Sequence, residues 1–149
     1  MTQPYEGGHP DHDSTSFCVH AACRLLELNG SKTPRMIEMT SYHLVGGKMA
    51  TFEFLPCEGF EATTTRLSAA SRDLKRRMLD CYESQKETLR ASSLEVERFR
   101  ESPNYDFTKP PSASPLYYDS FDWGVPSDQW RTMAGVALRE LGLAEVLSK

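Results

Sequence analysis

The chemistry of this chain is concentrated in one short stretch near its start, "YEGGHPDHDSTSF", spanning positions 5–17. His9 and His12 flank Pro10 and Asp11, with Gly7 and Gly8 just before them and Asp13 and Ser14 just after. Imidazole is the commonest neutral metal ligand, and a carboxylate beside it fixes its tautomer and raises its basicity. Pro10 fixes a backbone torsion and so stiffens the turn. Gly7 and Gly8 admit positive φ and close backbone approach. Two imidazoles near a helix start suit metal binding or an anionic centre. Zinc, however, takes three or four protein ligands, and this stretch offers two histidines. Taken alone, it also reads as a polar turn capping a helix.

The rest of the chain must position these groups. Asp13, Ser14 and Ser16 offer N-cap oxygens. Phe17, Ala21, Leu25 and Leu28 then recur at helical spacing, with Ala22 and Leu26 widening that face, up to a stop at Asn29-Gly30. Two β-like runs, "RMIEMTSYHL" and "KMATFEFLP", surround Gly46-Gly47 and suggest a hairpin or neighbouring strands, the second ending at Pro56. A long helix is expected from about Ser71, with Leu74, Met78, Tyr82, Gln85 and Leu89 as one buried stripe. Its Asp73 and Arg77 stand four residues apart for modest surface support. "SSLEVERFRES" reads as a short helix or irregular turn. A long aromatic loop follows, with Tyr105, Phe107, Tyr117, Tyr118, Phe121 and Trp123, which either seals its own domain or presents a binding surface. The last helix runs from Ser127, a plausible N-cap, to about Leu141. Its inner face is Trp130, Met133, Ala134, Ala137 and Leu141, and Gly142 stops it.

Composition narrows the function classes. The 149 residues fit one domain, residues 1–149, with a net charge of −4. The longest basic run is Lys75-Arg76-Arg77, a solvated helix face, so nothing points to nucleic acid. No apolar run has the length of a membrane span and no secretory leader is visible, which makes the cytoplasm the default. Cys18, Cys23, Cys57 and Cys81 form no CxxC pair and read as buried thiols. His20 and His43 read as structural histidines. Glu38 and Tyr42 lie in a β-like run where either a structural or a substrate-facing role fits.

The stretch "PYEGGHPDHDSTSFCVHAACRLL" resembles the second signature of the LmbE-like (PIG-L) de-N-acetylase family, in which HPDH opens a helix. "PRMIEMTSYH", "KRRMLDCYESQ", "ERFRESPNYDFTKPP" and "WGVPSDQWR" resemble the C-terminal half of bacterial members, so the likeness runs over nearly the whole chain. It implies an α/β fold, a Rossmann-like three-layer α/β/α sandwich, that binds one zinc ion and hydrolyses an N-acetyl amide on an amino-sugar conjugate such as an N-acetylglucosamine derivative. In that family a first motif, AHPDD or similar, supplies a zinc histidine, a zinc aspartate and a general base. By the same resemblance His12 is the remaining zinc ligand. His9 is the catalytic histidine that steadies the oxyanion or protonates the leaving amine, and Asp11 orients and charges it. Lys75 and Gln85 recur in the "K…SQ" stretch of the resemblance.

No AHPDD-like motif occurs in these 149 residues; the only "HPD" is His9-Pro10-Asp11. The resemblance therefore covers the C-terminal portion of the fold, with the first strands missing, and Met1 would be an internal methionine, an altered start or a boundary. Three amphipathic helices with two clear strands fit that reading. The expected consequences are exposed apolar helix faces and little turnover by the chain alone. It would depend on a partner chain carrying the missing motif or on self-association, which could also assemble a metal site from His9 and His12 of two copies. The competing expectation is a non-catalytic fragment or interaction module that keeps the fold remnant.

Overall fold

The structure, a computed structural model, describes residues 1–90 and 92–144. It is a mixed α/β fold with three principal helices and two small sheets. Helix α1 (Pro10–Leu28) begins three residues before the expected caps. Its N-cap is His9, whose ring accepts the Asp11 N–H, and Pro10 sits at the first helical position, where its missing N–H costs nothing. Asp13 is freed for another task, accepting the backbone N–H groups of Glu6 and Gly7 at 3.3 and 3.1 Å. At the far end Asn29 caps the helix and Gly30 adopts φ +68°, as the Asn-Gly stop requires.

Helix α1 buries two adjoining stripes. Phe17, Ala21 and Leu25 pack toward helix α4 (Ser127–Glu140), whose Leu138 joins Ala21 and Leu143 in one cluster. Asp13, Ser16, His20 and Cys23 are buried too. Leu26 and Leu28, expected on the inner face, are exposed. The second cluster is Tyr5, Phe107, Trp130 and Ala134, with Phe17, Tyr105 and Val125 packed on it. Trp130 donates its indole N–H to Ser14 at 2.9 Å, tying α4 to the first turns of α1. The inner face of α4 is Trp130, Ala134 and Leu138, while Met133 and Leu141 are exposed. Ser127 is the first residue inside the helix rather than its cap. Its N–H and hydroxyl both go to Asp119, at 2.8 and 2.6 Å, so the preceding loop supplies the capping carboxylate.

The larger sheet is antiparallel. Strand β1 (Ile37–Met39) lies beside β5 (Val96–Glu101), which lies beside β4 (Thr63–Arg66). Strand β5 falls in the segment expected to be a helix or turn. Its register sets Glu38 opposite Arg100, and the resulting buried ion pair at 2.9 Å anchors the sheet. Glu38 also accepts the hydroxyls of Ser102 (2.9 Å) and Tyr105 (2.8 Å), and Ser102 Oγ lies 2.9 Å from His20 Nε2. Glu38 and His20 are thus structural residues of one buried network. Burial raises the Glu38 carboxyl pKa, and its hydrogen-bond donors oppose that rise. A parallel bridge joins Thr2 to Glu38 on the opposite edge of β1, with Thr2 N–H to Ile37 O at 3.0 Å and Met39 N–H to Thr2 O at 3.2 Å.

The expected hairpin is present: β2 (Tyr42–Val45) pairs antiparallel with β3 (Lys48–Thr51). Gly46 and Gly47 adopt φ +56° and +78°, the two left-handed positions that a tight two-residue turn demands. The strand stops at Thr51, before the "FEFLP" residues. Phe52 takes φ +63°, which breaks the extended run, and this segment is held instead by Arg98 to Phe52 O and Arg100 to Leu55 O.

Helix α2 (Ala69–Asp80) is shorter than expected and capped by Ser68. Tyr82 leaves helical geometry at φ −93°, ψ 66°, a 3-10 turn covers Glu83–Gln85, and a single helical turn, α3 (Lys86–Leu89), follows. No residue of α2 is buried, and Leu74, Met78 and Tyr82 are 50%, 58% and 59% exposed, so the expected buried stripe is an apolar face turned outward. Asp73 pairs with Arg77 at 3.4 Å as its spacing implied. Of the cysteines, all free, only Cys23 is buried; Cys18 and Cys81 are exposed.

Candidate functional site

The segment 5–9 is delivered to the head of α1 by two glycines with different jobs. Gly7 has φ +71°, and a Cβ there would stand 2.6 Å from a Leu116 methyl. Gly8 lies against the Tyr42 backbone, where a Cβ would come within 1.8 Å of the carbonyl oxygen. Only glycine lets the chain pass so close to β2. Asp13 clamps the same turn from inside the helix. Burial pushes its carboxyl up to about 7, against the backbone N–H groups of Gly7 and Glu6 and the Tyr118 hydroxyl, which lower it. Glu6 is buried as well. It accepts Leu55 N–H at 2.7 Å and faces His43 Nδ1 at 3.3 Å, so His43 is a structural histidine locking β2 to the turn.

These contacts bring His9, Asp11 and His12 to one wall of a cavity of about 700 Å³. The two imidazole centroids are 5.4 Å apart. His9 Nδ1 accepts the Asp11 backbone N–H at 3.1 Å, which places the proton of the neutral ring on Nε2. The Asp11 carboxylate stands 3.8 Å from the same nitrogen and is 88% exposed. The helix cap, rather than a buried carboxylate, therefore fixes the His9 ring. His12 Nδ1 lies 2.9 Å from Ser41 Oγ. Burial lowers the His12 pKa, the neighbouring His9 lowers it further, and Asp11 raises it. When Nδ1–H donates to the Ser41 hydroxyl, the neutral ring leaves its Nε2 lone pair open, the state in which histidine binds a metal.

The rest of the lining comes from separate parts of the chain. Thr40, Ser41 and Tyr42 precede and open β2, Phe52 follows β3, and Tyr82, Gln85 and Leu89 follow α2. Tyr117, Phe121 and Trp123 descend from the long aromatic loop. That loop divides its labour: Tyr105, Phe107 and Tyr118 pack in the interior, whereas Phe121 and Trp123 are 44% and 41% exposed beside the cavity. Lys75 is elsewhere, paired with Glu97 at 3.2 Å. Ser41 and the aromatic wall carried no motif of their own. The nearest signal for Ser41 was its place just ahead of Tyr42, where strand β2 passes Gly8.

Among the described residues no three His, Cys, Asp or Glu side chains come together as a metal-holding group. His9, His12 and the exposed Asp11 carboxylate all line the cavity. No helix among the described residues is long and apolar enough to cross a membrane. No family model, curated protein or solved structure matches the chain.

Proposed function

We propose that this chain is the C-terminal half of a cytoplasmic zinc-dependent N-deacetylase, which hydrolyses the N-acetyl amide of an amino-sugar conjugate once the remaining ligands are supplied. The observation that carries this reading is the His9–His12 pair at one end of a large cavity, with each ring nitrogen Nδ1 already engaged. In this reading His12 gives one zinc ligand, and His9 presents Nε2–H toward a developing oxyanion or leaving amine. Zinc, when bound, would polarise the amide carbonyl and activate water. Asp11 acts through its backbone as much as through its charge. The other ligands and the general base come from a polypeptide segment bearing an AHPDD-like motif, or less simply from a second copy of the chain.

The Thr2–Glu38 bridge supports the Rossmann-like part of the proposal. It is a parallel pairing at one edge of an otherwise antiparallel sheet. Thr2 spends its N–H and C=O on β1, so the neighbouring Gln3 faces the other way, where a further strand would add. The test joins an AHPDD-bearing segment of a de-N-acetylase ahead of Met1 and measures zinc-dependent acetate release from methyl N-acetylglucosaminide. Turnover abolished by His9→Ala and by His12→Ala supports the reading. Turnover indifferent to both substitutions defeats it.

A second reading is favoured by one observation, the outward apolar face of α2. A non-catalytic interaction module would use that face and leave the histidines without consequence. It requires that Leu74→Glu abolish a partner contact while His12→Ala changes no measurable property.

A further inference from the structure

The two edges of the larger sheet differ. The outer edge of β1 is occupied by Thr2, which bonds the backbone of Ile37 and Met39. The outer edge of β4 (Thr63–Arg66) has no neighbouring strand among the described residues, and all four of its residues are exposed. The hydrogen-bond phase says which backbone groups are left over. Leu67 N–H bonds Glu95 O at 2.9 Å, in the register that sets Thr65 opposite Glu97 and Thr63 opposite Phe99. Antiparallel pairs alternate, so Thr63 and Thr65 direct their backbone groups to β5, while Thr64 and Arg66 point theirs outward. Thr40 N–H to Arg98 O, at 3.3 Å, fits the same phase from the far side of β5. The strand has no proline, glycine or lysine, and its register runs without a bulge, so the usual devices that blunt an edge are missing. Three successive threonines, β-branched, favour the extended backbone that an added strand would need.

Charge says what fits there. Thr64 and Arg66 share one face of the sheet, and Arg98 lies opposite Thr64 on that face. Arg98 donates to Phe52 O at 2.9 Å, and Glu53 and Glu58 share a cavity with it. The nearby Arg72 and Lys75 are paired with Glu95 and Glu97. Arg66 is exposed and has no carboxylate partner among the described residues, which makes it the uncompensated cation of the edge. A second copy of β4 would bring threonines and another arginine, and no carboxylate. A strand with an acidic side chain on that face would supply one.

We infer that the free edge of β4 is a docking site for an extended acidic peptide of another protein, which adds to the three-stranded sheet as a further strand. The outward N–H and C=O groups of Thr64 and Arg66 make the main-chain bonds. A carboxylate beside the Arg66 guanidinium sets the preference for acidic sequence. The site uses neither histidine and does not depend on the deacetylase reading.

The experiment is a proton–nitrogen NMR titration of the full chain with two blocked hexapeptides, one alternating glutamate with valine and one alternating lysine with valine. The expected result is a saturable shift of the Thr64 and Arg66 amide signals with the glutamate peptide, and slower hydrogen exchange at both. That peptide should bind at least about threefold more tightly than the lysine peptide, with the gap narrowing as salt is added. Arg66→Glu should reverse the order. Thr64→Pro removes an outward N–H that the β4–β5 ladder does not use. It should weaken the glutamate peptide at least about tenfold while Thr65 and Leu67 keep their protection from exchange. If that variant does not fold, Arg66→Glu decides alone. Unmoved Thr64 and Arg66 signals, equal binding of the two peptides, or an unchanged order in Arg66→Glu overturns the inference. Shifts of these two signals on concentrating the chain without peptide would give the edge to a second copy and overturn it as well.

Discussion

The hydroxyl of Ser41 lies 2.9 Å from Nδ1 of His12, across a gap of 29 residues in sequence. It holds one ring nitrogen and thereby decides what the other can do. In a complemented protein, Ser41→Ala is expected to weaken zinc about ten- to a hundredfold, the usual effect of losing the partner of a metal-bound histidine. Competition with a chromophoric chelator measures this. Unchanged affinity would mean that Ser41 does not orient the ligand.

The passage of Gly8 against Tyr42 predicts an intolerant position. Gly8→Ala places a methyl within 1.8 Å of the Tyr42 carbonyl oxygen, and backbone cannot rotate away as a side chain can. A loss of at least about 2 kcal/mol is expected by urea unfolding. The nearby Gly47→Ala meets no neighbouring atom and should cost only its left-handed backbone strain, about 1 kcal/mol.

Arg100 is expected to be the most costly charge to remove. Arg100→Met leaves Glu38 buried without its cation and should cost about 3–5 kcal/mol. Replacing both, with Glu38→Leu and Arg100→Met together, should cost clearly less than the two single losses summed. Additive losses would show that the pair is not coupled.

The pH dependence follows from His20. Burial lowers its pKa from the usual 6.5 to about 4, so the folded state binds its proton less readily than the unfolded state. Its contribution to stability is therefore complete above about 6.5 and is lost as pH falls toward 4. His20→Gln keeps a donor for Ser102 but cannot titrate. The variant should lose less stability than the wild-type chain between those two pH values, in denaturant melts across the range. An equal acid loss in both would place the sensitive group elsewhere.

The outward face of α2 predicts association. Leu74 and Met78 are half or more exposed and lie on one side of that helix. Sedimentation should find species larger than the 16.8 kDa chain, and Leu74→Glu with Met78→Glu should shift the distribution toward monomer. A monodisperse wild-type monomer would contradict this.

Much of the site was legible because it is local. The glycine pair, the proline and the two histidines lie within six residues, and each does the backbone task its chemistry suggests. The hairpin was legible for the same reason. What hydrophobic periodicity hides is a strand whose buried side is charged. Strand β5 reads as "VERFRE", and its deepest residue is Arg100, buried only because Glu38 lies opposite it 62 residues away. Helix α2 shows the converse: a good apolar stripe carries no information on whether anything covers it. Ser41 and Trp123 join the histidines only through tertiary contacts, so no spacing announces them.

The central claim is that His12 is a zinc ligand. Its most direct test is histidine side-chain nitrogen NMR on the chain during zinc addition, beside His12→Ala. The expected result is a shift of His12 Nε2 toward the metal-bound range, with Nδ1 remaining protonated against Ser41, and a loss of zinc affinity in the variant. If zinc leaves the His12 resonances unmoved, or binds His12→Ala as tightly as the wild-type chain, the metal half-site does not exist.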